Sequence, residues 1–234
     1  MKRVLASLTL LLAAACALAD EASAPVEVSL SWRASVGADG QLTALAPADE
    51  LNAELYKRFE ADVRTWRFTP GKVNGVPAAT DTTLTVGIRL NPVPGGFRPE
   101  ILDAQTGVGY GKMVAPTYPE GALKSRRGGA VLSRVTFDGQ GDVQEVETID
   151  GGFPEAGGDL KRAARVALRR WKFHPESIGG RGYGGTAFVP ICFSVSPGPE
   201  TPCRYVTPLT NQKLRNGSLL AVDPLVHVER TPAS

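Results

Sequence analysis

Between Val26 and Val36 the chain alternates. Val26, Val28, Leu30, Trp32, Ala34 and Val36 are apolar, and Glu27, Ser29, Ser31, Arg33 and Ser35 between them are polar. Period two predicts a strand with one buried face. Asp39-Gly40 predicts a hairpin turn, and 41–45 the returning strand. Leu51, Leu55, Phe59, Val63 and Trp66 then recur at helical spacing, with Lys57, Arg58, Glu60, Asp62 and Arg64 on the other faces. This predicts an amphipathic helix that Asp49 can cap. Pro70-Gly71 stops it and Asn74-Gly75 marks a turn. Leu84, Val86, Ile88 and Leu90, separated by polar residues or Gly87, predict a final strand. Residues 92–115 begin with Pro92, Pro94, Gly95, Gly96 and Pro99 and are expected to be an irregular linker.

The second half repeats the order. Pro116-Thr117-Tyr118-Pro119 leads into a short helical turn through Leu123. Val131, Ser133, Val135 and Phe137 predict a strand, Asp138-Gly139-Gln140-Gly141 a turn, and 143–149 the return. Asp159 can cap a helix striped by Leu160, Ala164, Ala167, Leu168 and Trp171, with Arg162, Arg165 and Arg169 along another face. A glycine-rich turn over 179–185 precedes Ala187, Val189, Ile191, Phe193 and Val195, again at period two. In the proline-rich tail, 197–234, the apolar residues Leu219, Leu220, Val222, Leu225 and Val226 suffice for one short docked strand.

One phrase occurs twice. Trp66-Arg67-Phe68-Thr69-Pro70 and Trp171-Lys172-Phe173-His174-Pro175 lie 105 residues apart, each after a helix and before a turn and a strand. Two divergent copies of one small domain are the simplest account. The expected fold is α+β. It has two modules, 26–91 and 116–196, each an antiparallel sheet packed with a helix in the order β-β-α-β.

The second module resembles the C-terminal domain of the TonB family. Its matching residues are Tyr118-Pro119, Ala122, Gly128-Gly129-Ala130-Val131, Asp138 with Gly141 and Val143, Trp171-Lys172-Phe173-His174-Pro175, and Val189-Pro190-Ile191-Cys192-Phe193. The first module is similar but degenerate: it lacks a Tyr-Pro segment, and Thr85-Val86 stands where the second has Pro190-Ile191. The resemblance implies that a protein partner, of the kind of a TonB-dependent outer-membrane receptor, adds a short segment as a strand beside the last strand. That assigns Ala187, Phe188, Val189, Pro190, Ile191, Cys192 and Phe193 to the partner edge. Tyr118 either packs against the sheet or helps to form the groove. Pro190 supports an open edge independently, because it has no N–H to give a ladder; the same proline also fits an edge merely blunted against aggregation.

Composition and address narrow the picture. Lys2 and Arg3, the apolar run from Val4 to Leu18 and Ala17-Leu18-Ala19 read as a cleaved export signal over residues 1–19. Delivery to the periplasm follows. Lipidation at Cys16, or a retained membrane anchor, are the alternatives. The run contains no His of the kind expected in an energy transducer, and no long Pro-Glu or Pro-Lys span follows. A protein-binding module is therefore preferred over a membrane-anchored energy transducer for outer-membrane receptors. A structural, self-assembling envelope protein, with a homodimer as its simplest form, is the third reading.

Cys192 and Cys203 form one disulfide or remain two separate thiols. A net charge of +2 makes no case for nucleic acid. His174 and His227 form no zinc pattern with the cysteines, the glycine-rich turn opens no helix, and no catalytic, metal or cofactor site is expected.

Overall fold

The computed structural model describes residues 24–49, 53–195, 203–208, 211–215 and 217–229. Residues 1–19, where an export signal is expected, and Cys16 among them, lie outside the described residues. Among the described residues, no helix is long and apolar enough to cross a membrane.

The alternating segment forms β1 (Val26–Val36), hairpinned to β2 (Leu42–Pro47). Helix α1 (Ala53–Val63) follows, and then the long strand β3 (Thr80–Val93). β3 returns antiparallel beside β1 along all of β1's length, with Leu84 opposite Trp32. Leu30, Trp32, Ala34 and Val36 of β1 and Leu84, Val86 and Ile88 of β3 share one face. There they meet Tyr56, Phe59 and Val63 of α1, together with Trp66 and Phe68. Leu51 is outside the described residues. Asp49 accepts a hydrogen bond from the Tyr56 hydroxyl at 3.1 Å.

The expectation of an irregular linker over 92–115 is corrected. β3 runs on to Val93, and β4 (Gly96–Gly107) turns back and pairs with it from Thr83 to Val93. The prolines fall near the turn or within a strand whose partner lies on one side. Ile101 and Ala104 both pack against the first core, brought to one face by a register shift at Leu102.

The second half contains α2 (Glu120–Lys124), β5 (Gly129–Phe137), β6 (Val143–Ile149), α3 (Gly158–Leu168) and β7 (Gly185–Phe193). β5 lies between β6 and β7, antiparallel to both, and Val189 faces Ser133. Val131, Val135, Phe137, Ala187, Val189, Ile191 and Phe193 bury against Leu160, Ala164 and Leu168 of α3, with Trp171 and Phe173 closing the end. Gly157 rather than Asp159 is the N-cap residue of α3. Asp159 instead pairs with the Arg127 guanidinium and receives the Leu160 N–H, which hold its carboxyl below the usual value.

Each hairpin turn is clasped from outside. The Phe68 N–H donates to the Gly40 carbonyl at 3.0 Å, and the Phe173 N–H to that of Gly141 at 2.9 Å. Gly141 has φ of 83°, and a Cβ there would lie 2.1 Å from the Phe173 oxygen, so only glycine fits.

The C-terminal tail makes more than the single strand expected. β8 (Arg204–Val206) and β9 (Lys213–Leu214) form a small sheet with Gly152–Phe153 over the face of β5 and β7 opposite α3. β10 (Leu220–Ala221) pairs with β7, and β11 (His227–Val228) pairs with Phe68–Thr69 in the first half. Val226 is fully buried in the first core. The tail therefore laces the two halves together.

Trp66 and Trp171 are both buried, and the Trp171 indole N–H donates to the Val114 carbonyl at 2.7 Å. Truncating a large core aromatic leaves a cavity and, here, an unpaired carbonyl. Trp171→Ala is expected to lower the free energy of unfolding by about 3–5 kcal/mol, measured by denaturant titration. A loss below about 1 kcal/mol would contradict the packing described.

Candidate functional site

The outer side of β7 is defined by one hydrogen bond and one missing donor. The Val222 N–H donates to the Thr186 carbonyl at 2.9 Å. β10 pairs opposite Ala187 and Phe188, through Ala221 and Leu220. In an antiparallel strand the N–H and C=O of one residue point the same way, and successive residues point oppositely. Thr186, Phe188, Pro190 and Cys192 thus turn their main-chain groups outward, away from β5, while Ala187, Val189 and Ile191 turn theirs to β5. Pro190 places its missing N–H on the outer side. Among the described residues, no strand pairs with that side beyond Phe188.

The residues assigned to this edge from the sequence lie together on β7 but divide between its two faces. Ala187, Val189, Ile191 and Phe193 point into the core beneath α3. Phe188 and Cys192 face the opposite side, among Leu132, Tyr205, Leu214 and Leu220. Pro190 is buried. Cys192 and Cys203 are joined, with S–S 2.05 Å and Cα–Cα 5.8 Å, which fastens the root of the tail to β7. Tyr118 stacks edge-on against Phe193, ring centroids 5.4 Å apart, and its hydroxyl donates to the Arg127 carbonyl at 2.7 Å. It thus braces the end of β7 with its ring against the core and its polar tip bonded.

Sequence reasoning missed two groups that hold the tail in place. Arg215 lies across β3 and β4: both its terminal nitrogens donate to Asp103, and its Nε donates to the Ser29 hydroxyl at 3.1 Å. Gly87 makes room for it, since a Cβ there would come within 2.0 Å of the guanidinium. The second group is Glu176, a buried carboxylate in the segment after the Trp-Lys-Phe-His-Pro phrase. It accepts from the Thr82 hydroxyl at 2.6 Å in the first half and from the Leu225 and Val226 amides of the tail. No spacing rule flags either one, because their partners are 112 and 94 residues away. His174 receives a hydrogen bond from Arg33 at 2.9 Å; burial and that guanidinium push its pKa below the usual value. Among the described residues, no group of three His, Cys, Asp or Glu is placed to hold a metal ion.

The second half is thus a small α+β unit, with a helix on one face of an antiparallel sheet and a last strand that carries Pro190 within it. Residues 114–195 match the family described as Gram-negative bacterial TonB protein C-terminal, and this segment is a domain of that family. Among curated proteins, the chain is 30% identical over 95 residues to Protein TonB of Xanthomonas campestris pv. campestris (strain B100), covering 41% of this chain and 41% of that protein. It is 38% identical over 90 residues to Protein tonB2 of Pseudomonas aeruginosa, covering 38% of this chain and 32% of that protein. The similarity thus spans about two-fifths or less of these relatives' lengths.

Burial pushes the Glu176 carboxyl above its ordinary value of 4.5, against the three donors that pull it down. A carboxyl whose folded-state pKa exceeds its unfolded one favours the fold when protonated, and that advantage is lost as pH rises through the raised value. Relative to Glu176→Gln, the parent protein is therefore expected to lose stability as pH rises from 4.5 toward neutrality. Urea titrations of both proteins across that window check this. A difference that grows in the opposite sense would show the three donors outweighing the burial.

Proposed function

We propose that residues 116–196 form a periplasmic protein-binding module that takes an extended segment of an outer-membrane transport partner as an added strand beside β7. The observation that carries this reading is the outward row of main-chain groups at Thr186, Phe188 and Cys192, on a domain of the TonB C-terminal family. Strand addition draws its affinity from main-chain hydrogen bonds and its selectivity from alternate side chains. The periplasm suits both the N-terminal signal and the disulfide between Cys192 and Cys203.

The same reading takes residues 26–91 as a second, diverged copy of the unit. Gly40 and Gly141, clasped by Phe68 and Phe173, are 101 residues apart; Leu84 and Val189 are 105 apart, and their partners Trp32 and Ser133 are 101 apart. A common hairpin offset and a common last-strand offset are what a duplicated register requires. In the first copy β4 fills the outer side of β3, so partner binding is assigned to the second.

Titration of the mature chain with peptides from transporter N-termini, followed by backbone amide shifts, tests the proposal. Saturable shifts along residues 186–193 are expected. N-methylation of alternate peptide nitrogens should abolish binding with a two-residue period, since only every second N–H reaches the neighbouring strand. Absence of shifts at roughly millimolar peptide, the weak end of specific affinities, together with self-association of the chain, would favour a structural envelope role instead.

A further inference from the structure

We propose that the segment Leu220–Val222 is a resident strand closing the β7 edge, and that it must leave before a partner strand can pair there. This rests on the strand-addition reading. The Thr186 and Phe188 main-chain groups, half of the outward row, are engaged by Val222 and Leu220. Past them, Pro190 contributes only a carbonyl, and Cys192 contributes one N–H and one carbonyl. A strand docked without disturbing the tail would find a single donor, too short a ladder to hold it.

The tail is built to open locally. On one side of the closing segment, Arg215 is bound to Asp103 and Ser29, the Ser218 hydroxyl bonds to that of Ser29, and the Leu219 carbonyl accepts from Gln105. On the other side, Leu225 and Val226 donate to Glu176, and Val226 is buried in the first core. Between these anchors only two residues are paired with β7, and Val222 is 43% exposed. The segment can leave the edge while the chain stays fastened at both ends. When displaced it remains a tethered competitor at high effective concentration. Its length is set by Pro190: the residue that would next pair opposite is Ser218, which turns instead toward Ser29.

Two variants of the full mature chain test this. Val222→Pro removes the donor to Thr186, and the extended Ala221 before it tolerates a following proline. Thr186→Cys/Val222→Cys, oxidised and with the native disulfide verified by peptide mapping, locks the segment shut; directly opposite residues lie about 5.5 Å apart, within disulfide range. The probes are transporter N-terminal peptides and a peptide of residues 217–223 of this chain. In Val222→Pro, the Phe188 amide should exchange faster, and both probes should bind roughly tenfold tighter than to the parent, the factor by which opening raises the competent fraction. The locked protein should bind neither.

Equal affinity of a probe for parent, Val222→Pro and locked protein would overturn the inference while leaving partner binding intact at another edge. Binding of the 217–223 peptide to Val222→Pro, with no binding of transporter peptides to any form, would sustain the closed edge and sink the transport partner. If Val222→Pro fails to fold, the locked protein against the parent still decides.

Discussion

The missing N–H of Pro190 governs where pairing on the outer side of β7 can run. A ladder needs a donor at every second residue, and a strand that reaches a proline on its bonding side loses one rung and must end or bulge. β10 ends just short of it. The tail reaches this edge from Arg215, seated over β3 and β4, and joins β7 only at Leu220, past the position opposite Pro190.

Much of this arrangement was legible in the sequence. Period-two runs at 26–36 and 131–137 give β1 and β5, and helical spacing from Leu160 to Leu168 gives α3, because each element buries one face of its own. The Trp66 and Trp171 phrases mark where helix meets sheet in both halves. Pro190 carried the expectation of an open edge, but the short β10 that pairs outside Ala187 and Phe188 was not legible. β4 was not: its prolines and glycines resemble a linker, and only the long, already formed β3 offers it a partner. Nor was the split of the tail into β10 and β11. Two residues carry no periodicity, and their partners, β7 and Phe68–Thr69, belong to different halves.

The seam between the halves is polar where the cores are apolar. Asp81 accepts from Ser177, and Arg33 donates to His174. Such contacts fix register more than they add stability, because each exchanges one hydrogen-bonded environment for another. Glu176 is the exception in kind. It is a buried carboxylate whose three donors come from two separate segments. Removing any one of those donors would leave charge less compensated in a dry site, which ties the tail's path to the fold of both halves.

The long β3–β4 hairpin also sets the valency of the molecule. Two copies of one unit, as proposed, would ordinarily present two equivalent last strands, and a partner with tandem segments could bind both, gaining affinity through the tether between them. β4 occupies the first of these over eleven paired positions. Under the proposed strand addition, the chain would be univalent at this kind of edge and would engage one extended segment at a time, however many a partner displayed.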